Sequence, residues 1–253
     1  MKEAYLKPLV IVTVLGVWQL LSFSGLWNPL LFPDPLRTVL YAIENTDFVL
    51  FSVGTSLRLL LVALAVSSGV SLVVCSLAAL SRGFRTVLET LSSMLSPMPG
   101  ISLLPFALMW FGIGYKPILF ITIIGSLAVY VLPVMNGFNT IPGIYVDVGR
   151  TYSLEGWRLI RHIYLPATLP SVLTGVRAAW GLSWRSLVAA ELVYGAMGRS
   201  GGIGWLISLN RYHLNPNGMA VGLAAIVLIG LAMEHLIIGS VERKTVKKWG
   251  MAT

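Results

Sequence analysis

The sequence predicts an all-α polytopic membrane protein with about six transmembrane helices, and three observations carry that expectation. Hydrophobic residues make up 56% of the chain and charged residues only 11%, where an ordinary soluble domain has about 25% charged. The ionisable side chains also leave long gaps. Between Arg58 and Arg82 only Cys75 intervenes, and between Lys116 and Asp147 only Tyr130 and Tyr145. Runs of roughly 20 apolar residues match the hydrocarbon thickness of a bilayer. Finally, the basic residues divide unevenly once both termini are placed in the cytoplasm. The inner face then holds Lys2, Lys7, Arg82, Arg85, Arg150, Arg158, Arg161, Arg243, Lys244, Lys247 and Lys248, and the outer face only Arg37, Lys116, Arg199 and Arg211. That bias satisfies the positive-inside rule and favours an even number of spans.

The first span covers 8–24. Its apolar run lacks a small-residue cleavage site, so it reads as a retained helix and not as a cleaved signal. Asp34-Pro35 then reads as an N-cap followed by proline at the first helical position. Leu36, Val39, Leu40 and Ile43 fall on one face, which predicts a short amphipathic helix over 35–46 at the membrane interface. The second span, 57–81, carries Ser67, Ser68, Gly69 and Ser71, small residues that suit close helix packing. The third, 87–113, contains Pro97, Pro99 and Pro105, and prolines there imply a kink or break. Its Ser96-Pro97-Met98-Pro99-Gly100 stretch frees backbone carbonyls, which either line a water-filled cavity or mark an irregularity of packing. Spans at 117–138, 166–196 and 218–241 complete one transmembrane domain over 1–253, with no internal repeat or soluble domain.

Several chemistries are set aside by what the chain lacks. One cysteine excludes an internal disulfide and any cysteine-rich metal site. His162, His213 and His235 have no ligand spacing. No Gly-x-x-x-x-Gly-Lys-[Ser/Thr] loop is present to bind nucleotide, and no acid pair or activated nucleophile suits an intramembrane enzyme. A net charge of +8 says less about nucleic acid here than about topology. A stand-alone secondary transporter remains as an alternative, though inverted repeats would give it matching helix breaks and only one proline-rich break exists.

Charges inside the spans mark candidate functional positions, because ionisable groups there need a partner or water. On the fifth span Arg177, Gly181, Trp184, Val188 and Glu191 follow a 3.6-residue period. Arg177 and Glu191 lie about 21 Å apart along a straight helix, so each needs a partner elsewhere. Arg58 and Glu191 either pair near the outer interface or line a path. Arg177 and Arg185 lie deeper and point to a polar cavity. The candidate translocation path is therefore Pro97, Met98, Pro99, Arg177, Trp180, Trp184, Arg185 and Glu191. Such a path suits an anion, although Trp110, Trp180, Trp184 and Tyr194 could stack on a neutral heteroaromatic solute or simply anchor at the interface.

The longest inside loop contains a segment, 143–164, that is more than a tether. Within it Trp157, Ile160 and Tyr164 fall on one helical stripe, and such a helix either lies on anionic lipid or docks into a groove on a soluble partner. Asp147-Val148-Gly149-Arg150-Thr151-Tyr152-Ser153, followed by Leu165-Pro166 and Leu169-Pro170, resembles the Glu-Ala-Ala signature of ABC importer permeases. Asp-Val-Gly stands where that signature has Glu-Ala-Ala, and Ser153 where it has glycine. Ser56-Leu57-Arg58, Trp110-Phe111-Gly112-Ile113-Gly114, and Ala190-Glu191 followed by Gly201-Gly202-Ile203-Gly204 resemble the nitrate/sulfonate/taurine/bicarbonate branch. The resemblance covers most of the chain in the right order.

What it implies is a type I importer (MetI-like) fold in the bacterial inner membrane, acting as a transport subunit and not an enzyme. It implies a second permease copy, two ATP-binding subunits that hold the ATP and Mg, and an extracytoplasmic solute-binding protein. The chain itself would bind no cofactor and no nucleic acid. The coupling contacts would come from Asp147, Arg150, Ser153, Leu154, Glu155, Gly156, Trp157, Leu165 and Pro166. Leu154, Trp157 and the Leu165-Pro166 turn suit the transmission of a rigid-body push.

Overall fold

The computed structural model describes residues 2–28, 30–195 and 201–234. Among them all regular structure is helical: α1 (Lys2–Phe23), α2 (Pro35–Glu44), α3 (Thr46–Leu80), α4 (Arg82–Leu95), α5 (Leu104–Phe111), α6 (Tyr115–Asn139), α7 (Gly143–Thr151), α8 (Gly156–Leu159), α9 (Leu165–Ala167), α10 (Leu169–Gly195), α11 (Ile203–Tyr212) and α12 (Pro216–Ala232). The helices group into two compact units, one built from 1–56 and 191–228, the other from 57–190 and 229–253.

In the second unit α6 is the central helix. Its buried residues run from Pro117 to Phe138 along its whole length, and α4 and α5 pack against it. Tyr130, Val131, Val134, Met135 and Phe138 form one core with Cys75 and Ala78 of α3 and Ala179 of α10. Two helices, α3 and α6, are long and apolar enough to cross a membrane by themselves. The expected third span is not a single helix. It breaks at Ser96–Pro99 into α4 and a segment from Gly100 to Phe111, bent by 91°. Pro97 and Pro99 lack the N–H groups that would continue the ladder, and the chain restarts through a 3₁₀ turn at Gly100–Leu103. Counted as one span, this bent pair makes three. The apolar part of α1, Val12–Phe23, and α12 are shorter, and α10 is interrupted by Arg177, Arg185 and Glu191. Residues 235–241 of the expected sixth span lie outside the described residues, as do Arg199, His235, Arg243, Lys244, Lys247 and Lys248.

Gly100 shows why the break needs a glycine. A Cβ there would meet the Ile121 carbonyl oxygen at 2.9 Å and the Gly125 Cα at 3.5 Å, so the turn rests directly on the backbone of α6.

In the first unit, α2 begins as the sequence predicts. Asp34 caps it by accepting from the Arg37 N–H at 2.9 Å, and Pro35 occupies the first turn. That N–H is the main force holding the Asp34 carboxyl below its usual range; Ser22 adds to it, against an opposing push from partial burial. A folded-state value below the unfolded one means the stabilisation is present at neutral pH and is lost as pH falls through the lowered value. The Trp18 indole donates to the Pro33 carbonyl at 2.9 Å, and the Asp34 N–H donates to the Asn217 side chain at 2.9 Å. The apolar face of α2, with Leu36, Val39, Leu40 and Ile43 all exposed, fits the expected interfacial helix.

Gly100→Val should destabilise the protein by about 1–3 kcal/mol, because the colliding atom is backbone and cannot rotate away. A thermal unfolding midpoint in nanodiscs equal to that of the native protein would contradict this packing account.

Candidate functional sites: a buried carboxylate, an arginine face and an exposed apolar knob

Glu191 sits in the last turns of α10 with no exposed surface. The Ser56 hydroxyl donates to its carboxylate at 2.8–2.9 Å and the Gly204 N–H donates at 3.0 Å. Ser56 in turn accepts from the Ile203 N–H at 2.9 Å. The carboxylate thus meets the first N–H groups of α11, where a helix presents unpaired donors and a positive dipole end. The glycines beside it permit the approach. A Cβ on Gly202 would collide with the carboxylate itself, and one on Gly204 would fall 2.6 Å from the Leu192 nitrogen. Glu191 therefore faces the 201–204 turn and not an open path, which is where the structure departs from its expected place among lining residues.

Higher on the same helix the expected single face divides in two. Arg177 and Arg185 are exposed, Gly181 between them has nothing within 4 Å of a built Cβ, and Trp180, Trp184 and Leu187 are turned inward. Trp180 and Trp184 stack on each other at 5.9 Å, so neither offers a free ring to a ligand. The split follows from opposite drifts: each four-residue step, 177–181–185, turns the helix by about +40°, whereas each seven-residue step, 177–184–191, turns it by about −20°, so Arg185 and Trp184 end on different sides. Arg177 pairs with Glu234, its Nε donating at 2.9 Å. Arg185 and Arg58 are exposed and have no ion pair or side-chain hydrogen bond among the described residues. Glu234, the partner of Arg177, is a position that sequence reasoning missed. It is the one acid within 218–241, and that isolation was the available signal.

At the helix break, Pro97 and Pro99 are exposed and Met98 is half-buried. The Pro99 carbonyl accepts from the Ser102 N–H at 2.9 Å and from its hydroxyl at 2.6 Å, so this freed acceptor is satisfied locally while the proline rings stay accessible.

The segment that follows α6 is built from α7, α8, a π-helical turn at Ile160–Tyr164, and α9. The expected stripe of Trp157, Ile160 and Tyr164 does not form: Ile160 faces inward while Trp157 faces out, and the π turn that starts at Ile160 shifts the phase of Tyr164. Ile160 is fully buried and Leu159 nearly so, while Trp157 is 60% exposed. Tyr164 and Leu165 pack against the α6 core, with Tyr164 edge-on to Phe138 at 5.5 Å. Pro166 borders a groove of about 540 Å³ shared with Tyr145 and His162. The exposed apolar knob is instead Trp157, Tyr152, Ile144, Tyr145 and Val148; the α7 part was not singled out in the sequence. Asp147 and Arg150 pair at 3.7 Å on the surface, an exposed interaction worth little. Leu154 is half-buried, Glu155 is exposed, and Gly156 adopts φ 51°.

Both departures from the family signature have a local cause. The Ser153 N–H donates to the Arg150 carbonyl at 2.8 Å and the Leu154 N–H to the Gly149 carbonyl at 3.0 Å. That bond pair closes α7 with a Schellman motif whose C′ residue, Ser153, lies at φ 58°, the left-handed position that glycine favours. Gly149 stands where the signature has alanine, and a Cβ there would press on Leu159 Cδ1 at 2.8 Å. The bulk of Leu159 takes the space that alanine would fill.

Residues 71–246 match the family of binding-protein-dependent transport system inner membrane components. The chain belongs to that family. An Escherichia coli (strain K12) relative named as an aliphatic sulfonates transport permease protein is 28% identical over 221 residues, covering 87% of this chain and 82% of the relative. A taurine transport system permease protein of the same organism is 24% identical over 231 residues, covering 88% and 82%. A Methanocaldococcus jannaschii protein named as an ABC transporter permease is 27% identical over 236 residues, covering 91% and 86%. The chain is therefore a permease of a binding-protein-dependent transport system, a transport subunit held in a membrane by apolar helices.

Substitutions at two positions probe the permease locally. Glu191→Ala should cost about 1–3 kcal/mol for each of the donors it strands, Ser56 and Gly204, and should speed hydrogen exchange at the start of α11. Unchanged exchange there would remove the capping role. Ser153→Gly should leave stability equal or slightly higher, whereas Ser153→Val should lower it by about 1–2 kcal/mol through a β-branched residue at positive φ. Thermal unfolding of the purified chain reads both.

Proposed function

We propose that this permease forms, as one of two copies, the membrane pathway of an ATP-driven importer for a small anion. The observation that carries this reading is that the 143–164 segment runs on through α9 and one turn residue, Thr168, into α10, whose exposed face bears Arg177 and Arg185. Sulfonates, the solutes named for two of the relatives, carry a permanent negative charge that would complement those arginines; nitrate and bicarbonate offer the same charge. The inward packing of Trp180 and Trp184 weighs against a neutral heteroaromatic solute, which would need an accessible ring.

Two ATP-binding subunits, holding ATP and Mg, would seat the segment around Tyr152 and Trp157. An extracytoplasmic solute-binding protein would deliver the solute from outside. Both termini would be cytoplasmic, in the inner membrane of a bacterial cell. An exposed apolar patch of this kind on a cytoplasmic loop suits a protein groove. On nucleotide binding the subunits would close and drive the two 143–164 segments together, reorienting the pathway.

Co-expression with the ATPase and binding protein should give a stable complex whose ATP hydrolysis rises when a loaded binding protein and its sulfonate are added. Trp157→Ala combined with Leu154→Ala should cut ATPase co-purification at least several-fold while leaving membrane insertion intact. Full coupled uptake in that double variant would sink the docking assignment.

A further inference from the structure

Of the four charged side chains within or bordering α10, three are accounted for by protein partners. Glu191 is capped by Ser56 and Gly204, and Arg177 is paired with Glu234. Arg185 is the exception. It is exposed and has no partner among the described residues, and it lies inside an otherwise apolar helix. Eight residues separate it from Arg177, about 12 Å along the axis, with the bare backbone of Gly181 midway between them. A guanidinium that keeps five donors and a full positive charge cannot be left against hydrocarbon. The Arg177–Glu234 pair is itself half-open, with 46% and 38% of the two side chains exposed, so its carboxylate competes with solvent and with any arriving anion.

We propose that the Arg177–Gly181–Arg185 face of α10 is a water-lined anion passage in which Glu234 serves as a displaceable counter-ion to Arg177. Arg185 presents an uncompensated charge to an incoming anion. Gly181 keeps the wall low between the two stations. At the second station Glu234 holds Arg177 until the solute's oxygens replace its carboxylate, and its return expels the anion by competing for the same guanidinium. A carboxylate opposite an arginine lowers the affinity of that station, which transport requires: binding must permit entry and also release. The Arg177–Glu234 pair is thus a positioning device for charge, and Arg185 is the specificity-determining contact. The importer reading supplies only the direction of travel.

The test uses the complete complex in nanodiscs with Gly181→Cys as reporter. Gly181 has room for a side chain, and the chain's one native cysteine, Cys75, is fully buried; the native protein reads its background. Two thiol reagents of matched size are compared, a methanethiosulfonate bearing a sulfonate and one bearing a trimethylammonium group, in the resting state and in an ATP-trapped state. The sulfonate reagent should react faster by on the order of ten-fold, the effect expected of charges about 10 Å away at intermediate dielectric. Adding Arg185→Gln should erase most of that preference, and adding Glu234→Gln should enlarge it.

No labelling in either state would mean that lipid or protein covers this face, and would overturn the passage. Equal rates for the two reagents, or a ratio that Glu234→Gln does not change, would overturn the charge assignment. The preference should be the same in phosphatidylcholine discs and in discs containing phosphatidylglycerol. Its loss only in the anionic lipid would give Arg185 to a lipid headgroup and overturn its role toward solute. Failure of the importer reading shows separately, as absence of ATPase from the purified complex with labelling unaffected.

Discussion

In a chain this apolar, a polar group inside a span is costly unless the protein or water satisfies it, and that constraint shapes both units. Hydrocarbon offers no hydrogen bonds, and an unsatisfied backbone group costs several kcal/mol there. Glu191 is the clearest response. Among the described residues its carboxylate is satisfied by one hydroxyl and by a helix start, and the 201–204 turn needs its glycines because that carboxylate must fit against backbone. The 91° break is a second response. Two prolines open the ladder, Ser102 closes it again over the Pro99 carbonyl, and Gly100 lets the turn lie on α6.

How much of this was legible beforehand depended on whether a residue's partner was local. The cap of α2 at Asp34-Pro35 and the break at Pro97 and Pro99 could be read because proline and capping residues act within one helical turn. The need for remote partners for Arg177 and Glu191 also followed from helix geometry, but their identity did not. Glu191 lies far in sequence from Ser56, and Arg177 from Glu234; no spacing rule connects such pairs. The stripe expected at Trp157, Ile160 and Tyr164 failed for a different reason. Periodicity assumes 3.6 residues per turn and one buried face, but this short helix buries Leu159 and Ile160 while leaving Trp157 out, and the π-helical turn from Ile160 changes the phase of Tyr164.

The 143–164 segment shows how a family signature encodes backbone geometry. The position where the signature has glycine is the C′ residue of a Schellman motif, and it remains at positive φ even with serine. What persists is the way α7 ends, with Leu154 set by a fixed pair of hydrogen bonds. Side chains around that end can then vary provided the turn keeps its shape, as Gly149 and Leu159 illustrate by exchanging volume across one contact.

Helix α3 carries a consequence of another kind. Its 35 residues rise roughly 52 Å, well beyond the hydrocarbon thickness of about 30 Å. Asp47 and Arg58 are its only charged residues, so no charge marks where its apolar surface meets the membrane edge over the remaining length. The bilayer boundary therefore falls partway along the rod and not at its ends, and the helix must lean or project. Lipid thickness then becomes a mechanical load: a thinner membrane increases hydrophobic mismatch and applies torque to α3, and through the residues of α3 in the core beside α6, strain to the helix that organises that core.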